Sequence, residues 1–547
     1  MSEEIKHECA VAMVVLRGTA TATGDFGGTK LSLLLEKQHN RGQDGAGAAV
    51  LSASPEPGEE PYWITKSASS TALADVLGMI GRRAQPETGR IFLGHLRYAT
   101  FGKNDVAFCH PFVHEASELS HTLLLAGNFN LTNTEALFDD YRHHGSFPTS
   151  KADGYLIAEL VAHELSAGKG LSDALESALR SADGAWTLCG MTGDGWAFAT
   201  RDPHGIRPGW YYVDDGVVVV ASERPAIQAA FDVPPEAVKE LPRGEALTVS
   251  PDGKVAFTRI APEAKARGCV FERIYFSRAN DADIHRERKA LGAALVPQIL
   301  KAADAPMEDI FFSYIPNSAR IAFHGLLERL FDEHGKIRFG EVAVKDAKFR
   351  TFIADAAARR EFYKHVYDVT YGLVRPGGDT LVVLDDSIVR GNTMKNAILP
   401  MLDRLGPKRI VIASSAPPIR YPDCYGIDMS TLGELVAFRA LVNLLGDGAE
   451  AELRRCAEAD ASENPLAALY SRFSDSEHAD EIARLLTPPE MKAEVKVVYQ
   501  TMDALRASCP DSSGDWYFTG DYPTPGGREV LRRAIMNYLE RRRGRSY

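Results

Sequence analysis

The sequence predicts two consecutive domains of different class: an α+β layered domain, then an α/β domain with a parallel sheet, followed by a helical extension. Three observations carry this. At 547 residues the chain is too long for one hydrophobic core. From Cys9 to about Ser250, short β-rich runs separated by Gly and Asp dominate, with helical stretches between them. Beyond Gly268, strand and helix patterns alternate, the mark of a parallel sheet with crossover helices.

In the first half CAVAMVVLRG, RIFLGHLRYATFG, TLLLAGNFN, AWTLCGMTGDGWAFATRD and GVVVVASE read as strands. Lys30–Gln38 and Gly154–Leu165 repeat apolar residues at three- and four-residue steps and read as helices. Strands, helices and strands in that order suggest layers. Leu51–Pro86, polar with Pro and Gly, reads as a surface excursion. The turn PDGK and the polar run APEAKARG place a boundary near Pro251–Gly268. Then Ala290–Ala302 reads as helix, DIFFSYIP as strand and ARIAFHGLLERLF as helix. TLVVLDD, NTMKNAILPMLDRL and RIVIASSAPP make a strand–helix–strand unit. After about Leu441 the pattern is helical without strand signal, and GDWYFTGDYPTPGG reads as a loop.

Composition narrows the function. Hydrophobic residues at 45% and charged residues at 25% are the balance of a globular protein. A net charge of −12 argues against nucleic acid as a partner. Arg541, Arg542, Arg543 and Arg545 read as the solvated end of a helix. The seven cysteines (Cys9, Cys109, Cys189, Cys269, Cys424, Cys456, Cys509) are odd in number and form no C-x-x-C pair, which fits a reducing cytoplasm. The opening MSEEIKHE is the opposite of a signal peptide, and no apolar run approaches the ~20 residues that span a bilayer. A cytoplasmic protein without membrane or nucleic-acid partners is expected.

Leu381–Thr393, LVVLDDSIVRGNT, is the most informative stretch. An apolar strand runs into Asp385 and Asp386. Adjacent carboxylates at the end of a parallel strand can accept hydrogen bonds from a vicinal diol, or hold a divalent cation through its waters. Gly391 lets backbone approach a ligand, and Ser387, Asn392 and Thr393 add donors at a helix N-terminus, a phosphate-binding arrangement. The full string resembles the phosphoribosyl-pyrophosphate motif of type I phosphoribosyltransferases. That resemblance implies that Asp385 and Asp386 contact the ribose hydroxyls and the metal. It implies that the loop with Ser387, Val389, Arg390, Gly391, Asn392 and Thr393 wraps the 5-phosphate. The sequence has no G-x-x-x-x-G-K-[ST], so a phosphate-binding loop of the ATPase type is not supported.

Cys9 enters the first strand in HECAVAMVV. Alone it would read as a small core residue. The strings QHNRGQDGAG, GHLRYATFGKND, AGNFNLTN, SKADGYLI, TRDPHGIRP and ASERPAI follow it, and together they resemble the class II glutamine amidotransferase domain. With the downstream motif, and with CVFERIYFSRAN, KFRTFI and PPIRYPDCYGID, residues 9–440 resemble the amidophosphoribosyltransferase family. The resemblance implies an αββα N-terminal-nucleophile hydrolase sandwich over 9–250, a phosphoribosyltransferase domain over 268–440 and a helical extension over 441–547. It assigns Arg97 to the glutamine carboxylate, Asp153 to the substrate α-amino group and Asn128 with the neighbouring Phe129 N–H to the oxyanion hole. It places Arg41 among the residues ordering the glutamine pocket, and Arg350 among those binding phosphoribosyl pyrophosphate.

A thiol with a pKa of ~8.5 is mostly protonated at neutral pH, and a free α-amine of pKa ~8 can deprotonate it. Cys9 gains such an amine only if Met1–Glu8 is a propeptide that is removed. The sequence departs from the family at three points. Phe129 stands where glycine is usual, and a left-handed backbone there would strain it. Asn40 interrupts His-Arg-Gly and shifts His39 or Arg41. After Arg350, Arg360 keeps a family arginine, but Tyr367 replaces a lysine for which Lys364 is a substitute. Some family members carry a [4Fe–4S] cluster. Here Cys269 matches one ligand, Cys424 is out of register and GDWYFTG stands where C-x-x-C would be, so no iron–sulfur cluster is expected.

The implied reaction is glutamine, phosphoribosyl pyrophosphate and water giving 5-phosphoribosylamine, glutamate and pyrophosphate, the entry step of purine synthesis, with Mg2+ as cofactor. A homo-oligomer is expected. The rival readings are another class II amidotransferase with a different acceptor and a regulator that senses phosphoribosyl pyrophosphate without turnover.

Overall fold

The strand that follows Cys9, Ala10–Leu16, is apolar at every position and buries both of its faces. Successive side chains of a strand point to opposite sides. Ala10, Ala12, Val14 and Leu16 therefore meet Leu31, Leu34 and Leu35 of the Gly24–Lys37 helix. Val11, Met13 and Val15 face Leu124, Ala126, Cys189 and Met191 of a second sheet. The computed structural model describes residues 9–17, 24–52, 55, 57–83, 89–99, 105–143, 145–345, 367–459 and 464–542.

The Ala10–Leu16 strand lies inside an antiparallel seven-stranded sheet, between Val217–Ala221 and Gly89–Arg97. The facing antiparallel sheet has six strands, with Leu123–Leu131 paired to Gly184–Thr192. Helices cover both outer faces: Gly24–Lys37 and Ala72–Arg83 on one, Asp153–Ser166 and Leu171–Leu179 on the other. This is the expected αββα sandwich. Leu51–Pro86 differs from expectation. It contains the sheet's last strand, Tyr62–Ser67, and the Ala72–Arg83 helix. An edge strand exposes one side, so its mixed composition resembles that of a loop.

The second half is built on a parallel five-stranded sheet in the order Arg338–Phe339, Ile310–Tyr314, Thr380–Asp385, Arg409–Ser414, Glu494–Tyr499. Its last strand comes from the segment expected to be helical throughout. EVKVVY carries exposed Glu494 and half-buried Lys496, which an edge position tolerates and which obscured the strand signal. The predicted helix over Ala290–Ala302 is two helices, Ala282–Ala294 and Val296–Ala303, parted beside Pro297.

GDWYFTGDYP, expected as a loop, is core. Trp516 and Tyr517 are fully buried in a short helical turn, Trp516–Thr519. They share a cluster with Cys269, Phe271, Tyr421 and Tyr425, and with Ala185 and Ile206 of the first half. Further on, Asp183 of the first half accepts hydrogen bonds from Thr524 Oγ1 (2.6 Å) and Gly526 N (3.0 Å), holding the start of the Pro525–Leu539 helix. Among the described residues no helix is long and apolar enough to cross a membrane.

Trp516 Nε1 donates to Asp423 Oδ1 at 3.1 Å. Trp516→Ala would leave a cavity and remove that donor from a buried carboxylate, so it is expected to cost ~3–5 kcal/mol. A urea-unfolding midpoint unchanged from wild type would contradict this packing.

Candidate functional site

Cys9 sits one residue before its strand, at the sheet's end. Antiparallel pairing of Ala10 with Leu96 brings Arg97 and Tyr98 beside it. Tyr98 N–H donates to Cys9 Sγ at 3.3 Å, and the thiol points back at the Tyr98 carbonyl, 3.8 Å away. Burial pushes the Cys9 thiol up to about 11, outweighing the Tyr98 hydrogen bond and the Arg97 charge, which lower it. At neutral pH this thiol is protonated and needs a base.

Cys9 opens onto a cavity of about 820 Å³ that is also lined by Arg97, Phe129 and Asp153. The Arg97 guanidinium lies 5.8 Å above the Phe108 ring. Asp153 begins the Asp153–Ser166 helix, and the next residue must be small: a Cβ at Gly154 would stand 2.6 Å from Phe112 and Phe129 ring atoms. Phe129 stays within the Leu123–Leu131 strand and is not among the residues with positive φ, so the backbone strain weighed for it is absent. Asn128 is buried on the opposite face of that strand, the face of Leu124 and Ala126 that looks toward the cysteine strand.

Arg41 does not line the cavity. Its guanidinium is fully buried between two carboxylates, with Nε on Glu223 at 2.7 Å and Nη1 and Nη2 on Glu272 at 3.0 and 2.7 Å. A bidentate pairing of this kind suits the planar guanidinium. The inserted Asn40 donates to the same Glu223 at 3.1 Å, so the extra residue is absorbed into this cluster. Burial alone would raise the Glu272 carboxyl, but Arg41 holds it below its ordinary range.

Two histidines escaped the sequence reading. His95 and His110 stack with centroids 3.8 Å apart and flank Gly127. His95 Nε2 lies 3.1 Å from the Gly127 carbonyl, and Gly127 N–H donates to His110 Nδ1 at 3.2 Å. Burial lowers both, His95 to about 3, so both rings are neutral and serve to hold the backbone that presents Asn128. GHLRY and CHPF were the only signals available, and neither specifies a partner.

In the second half, Asp385 ends the Thr380–Asp385 strand. Asp386 N–H donates to Asp385 Oδ1, and Ser387 Oγ to Asp386 Oδ1, both at 2.9 Å. Burial raises the Asp386 carboxyl, with Ser318, Ser387 and Arg288 opposing that rise. Gly391 has φ +79°, and a Cβ there would meet Leu486 at 2.3 Å, so glycine is required twice over. Ser387 and Thr393 are half-buried and Asn392 is exposed beside it. Val389 differs from expectation: its side chain is core, leaving only its backbone for a ligand. Arg390 likewise is bonded to Glu434 (2.7 Å) and the Asp428 carbonyl (2.9 Å), which ties the loop down. Arg350, Arg360 and Lys364 lie outside the described residues, as does the Met1–Glu8 segment.

Among the described residues no group of three or more His, Cys, Asp or Glu side chains is arranged to hold a metal. The Asp385–Asp386 pair supplies hard oxygen donors that suit magnesium only together with oxygens of a ligand. A [4Fe–4S] cluster does not fit around Cys269. Its Sγ lies 2.9 Å from the Tyr517 hydroxyl, and aromatic rings fill the space beside it.

A family profile described as a glutamine amidotransferase domain matches residues 110–229. The amidophosphoribosyltransferase of Pseudomonas aeruginosa is 30% identical over 421 residues, covering 73% of this chain and 78% of that protein. The amidophosphoribosyltransferase of Archaeoglobus fulgidus is 30% identical over 365 residues, covering 65% of this chain and 75% of that protein. The solved glutamine phosphoribosylpyrophosphate amidotransferase of B. subtilis, complexed with ADP and GMP, superposes with a TM-score of 0.68 at 24% identity, covering 94% of this chain and 97% of that one.

The burial of Cys9 is open to direct test. In protein retaining residues 1–8, the rate of Cys9 alkylation by iodoacetamide should climb about tenfold per pH unit, because only the thiolate reacts. It should level off near pH 11. A plateau near pH ~8.5, the ordinary thiol value, would show that the thiol is solvated.

Proposed function

The chain belongs to the amidophosphoribosyltransferase family, and from that premise we propose how its two sites divide the reaction. It transfers ammonia from glutamine to phosphoribosyl pyrophosphate, giving 5-phosphoribosylamine, glutamate and pyrophosphate, the first step of purine biosynthesis. The observation that carries the division of labour is the meeting of Cys9, Arg97 and Asp153 at one cavity, while Asp385 and Asp386 end a parallel strand in the other half.

In this reading Arg97 pairs with the glutamine carboxylate and Asp153 with its α-amino group, which sets the carboxamide against Cys9 Sγ. Removal of Met1–Glu8 frees the Cys9 α-amine, which takes the thiol proton that burial otherwise retains. Sulfur attacks the carboxamide carbon, and the oxyanion is met by Asn128 and the Phe129 N–H. The amine returns the proton to the departing ammonia, and water then hydrolyses the thioester to glutamate. Asn130, which lines the same cavity, donates to the Cys424 carbonyl of the second half at 2.6 Å, so the cavity abuts the domain junction.

At the second site Asp385 and Asp386 hold the ribose hydroxyls, and Ser387, Gly391, Asn392 and Thr393 surround the 5-phosphate. Asp385 and Asp386, together with oxygens of the substrate, would hold a magnesium ion, which would supply charge neutralisation for the pyrophosphate leaving group. The carboxylates face the ribose carbon where positive charge develops as ammonia attacks. We place the enzyme in the cytoplasm as a homo-oligomer, with domains over 9–250 and 268–440 and the extension 441–547.

Two variants test this division. Cys9→Ala should abolish glutamine-dependent synthesis and keep synthesis from high ammonia. Asp385→Asn/Asp386→Asn should lose synthesis from either nitrogen source by about a hundredfold or more, ~2.7 kcal/mol of transition-state stabilisation, while basal glutamine hydrolysis survives. Near-normal ammonia-dependent synthesis in the folded double variant would remove the acid pair from the reaction.

A further inference from the structure

Arg41, Glu223 and Glu272 are buried where the first half meets the second, with side-chain exposures of 0%, 2% and 5%. Each first-half member is tied within a few residues to the strands that carry the glutamine site. Next to Glu223, Ser222 Oγ accepts from Val11 N at 3.0 Å and Ser222 N donates to the Val11 carbonyl at 3.1 Å, two residues from Cys9. Beyond Arg41, Asp44 N donates to the Arg97 carbonyl and Asp44 Oδ2 accepts from Ala99 N, both at 3.0 Å. These bonds bracket Tyr98, whose N–H reaches the thiol.

The second-half side is tied equally. Glu272 opens a five-residue π-helical turn, Glu272–Phe276, and accepts from Ser277 Oγ at 2.7 Å. Arg278 N donates to Glu223 Oε2 at 3.0 Å, and Arg224 spans to Asp281 (2.7 Å) and Asp283 (2.7 Å). The buried Arg288 of the next helix bonds the Arg273 and Ser277 carbonyls at 2.8 and 2.7 Å.

We propose that Glu223 and Glu272, closed on Arg41 and Asn40, form a positioning clamp across the domain junction that sets the alignment of Cys9 with Arg97 and Tyr98 for attack on glutamine. None of the four touches the cavity, so the clamp acts through the backbone it braces. Buried charges hold only one arrangement, because displacing either partner leaves an unpaired ion in a desolvated site. Misplacing a nucleophile by about an ångström costs about a hundredfold in rate. The proposal rests on Cys9 as nucleophile.

Glu272→Gln keeps the shape and loses the charge. It should lower kcat for glutamine-dependent synthesis by about tenfold, with KM for glutamine and the ammonia-dependent rate both within about twofold of wild type. Asn40→Ala, a milder change that removes the outer bonds to Glu223 (3.1 Å) and to the Phe276 carbonyl (3.5 Å), should lower the same kcat by about threefold in a stably folded protein. Glutamine- and ammonia-dependent rates falling in parallel would show a general loss of structure and overturn the proposal. An unchanged glutamine kcat in folded Asn40→Ala would also overturn it. Glutamine-dependent synthesis persisting in Cys9→Ala, measured alongside, would instead overturn the nucleophile assignment.

Discussion

Charge removed from water must find its partner, and at the domain junction that requirement fixes how the two halves meet. A guanidinium in a desolvated site is tolerable only if opposite charges and well-directed acceptors replace its hydration. Arg41 obtains them from one carboxylate of its own domain and one of the next. Arg41 already has a partner in Glu223 of its own half, so it is Glu272 of the second half that would be left without its guanidinium if the two halves did not meet. The same logic recurs nearby, where Arg273 pairs with buried Glu287, and Arg288 is pushed down to about 10 by its own burial.

Around that junction, strand ends decide where chemistry lies. Antiparallel pairing with the Gly89–Arg97 strand puts a cysteine at the start of one strand beside an arginine at the end of its neighbour. Parallel pairing in the second sheet puts Asp385 at a carboxyl end, beside Ser414, where the loops gather. On the cysteine side, burial raises the Cys9 thiol and lowers His95 and His110, so the thiol stays protonated and the two histidines neutral. At the other strand end Asp385 is half-buried, Asp386 buried and Asn392 exposed.

The C-terminal segment belongs to both halves. It supplies an edge strand to the parallel sheet, an aromatic plug around Cys269, and a helix whose start is held by Asp183. Beside Cys269 the rings pack tilted and edge-on, with Trp516 and Tyr517 centroids 4.5 Å apart at 48° and Phe271 edge-on to Tyr517. Hydrophobic burial of these rings ties the C-terminal segment to both halves.

Features coded by contiguous residues were legible in the sequence: the Ala10–Leu16 strand, the layered order of elements, the parallel unit around Asp385–Asp386 and the glycine at 391. Each follows from local periodicity or backbone geometry, which neighbouring residues specify. The edge strands Tyr62–Ser67 and Glu494–Tyr499 were not legible, because half-exposed strands carry the polar composition of loops. GDWYFTGDYP misled for a related reason: Gly and Asp mark turns whether or not the residues between them are buried. Only the tertiary structure decided that Arg41 meets Glu272, 231 residues away, rather than the glutamine pocket. It alone paired His95 with His110 across Gly127, and sent Val389 into the core. A side chain's partner depends on which distant elements the fold packs against it, and that is set by the burial of the whole chain rather than by any stretch of it.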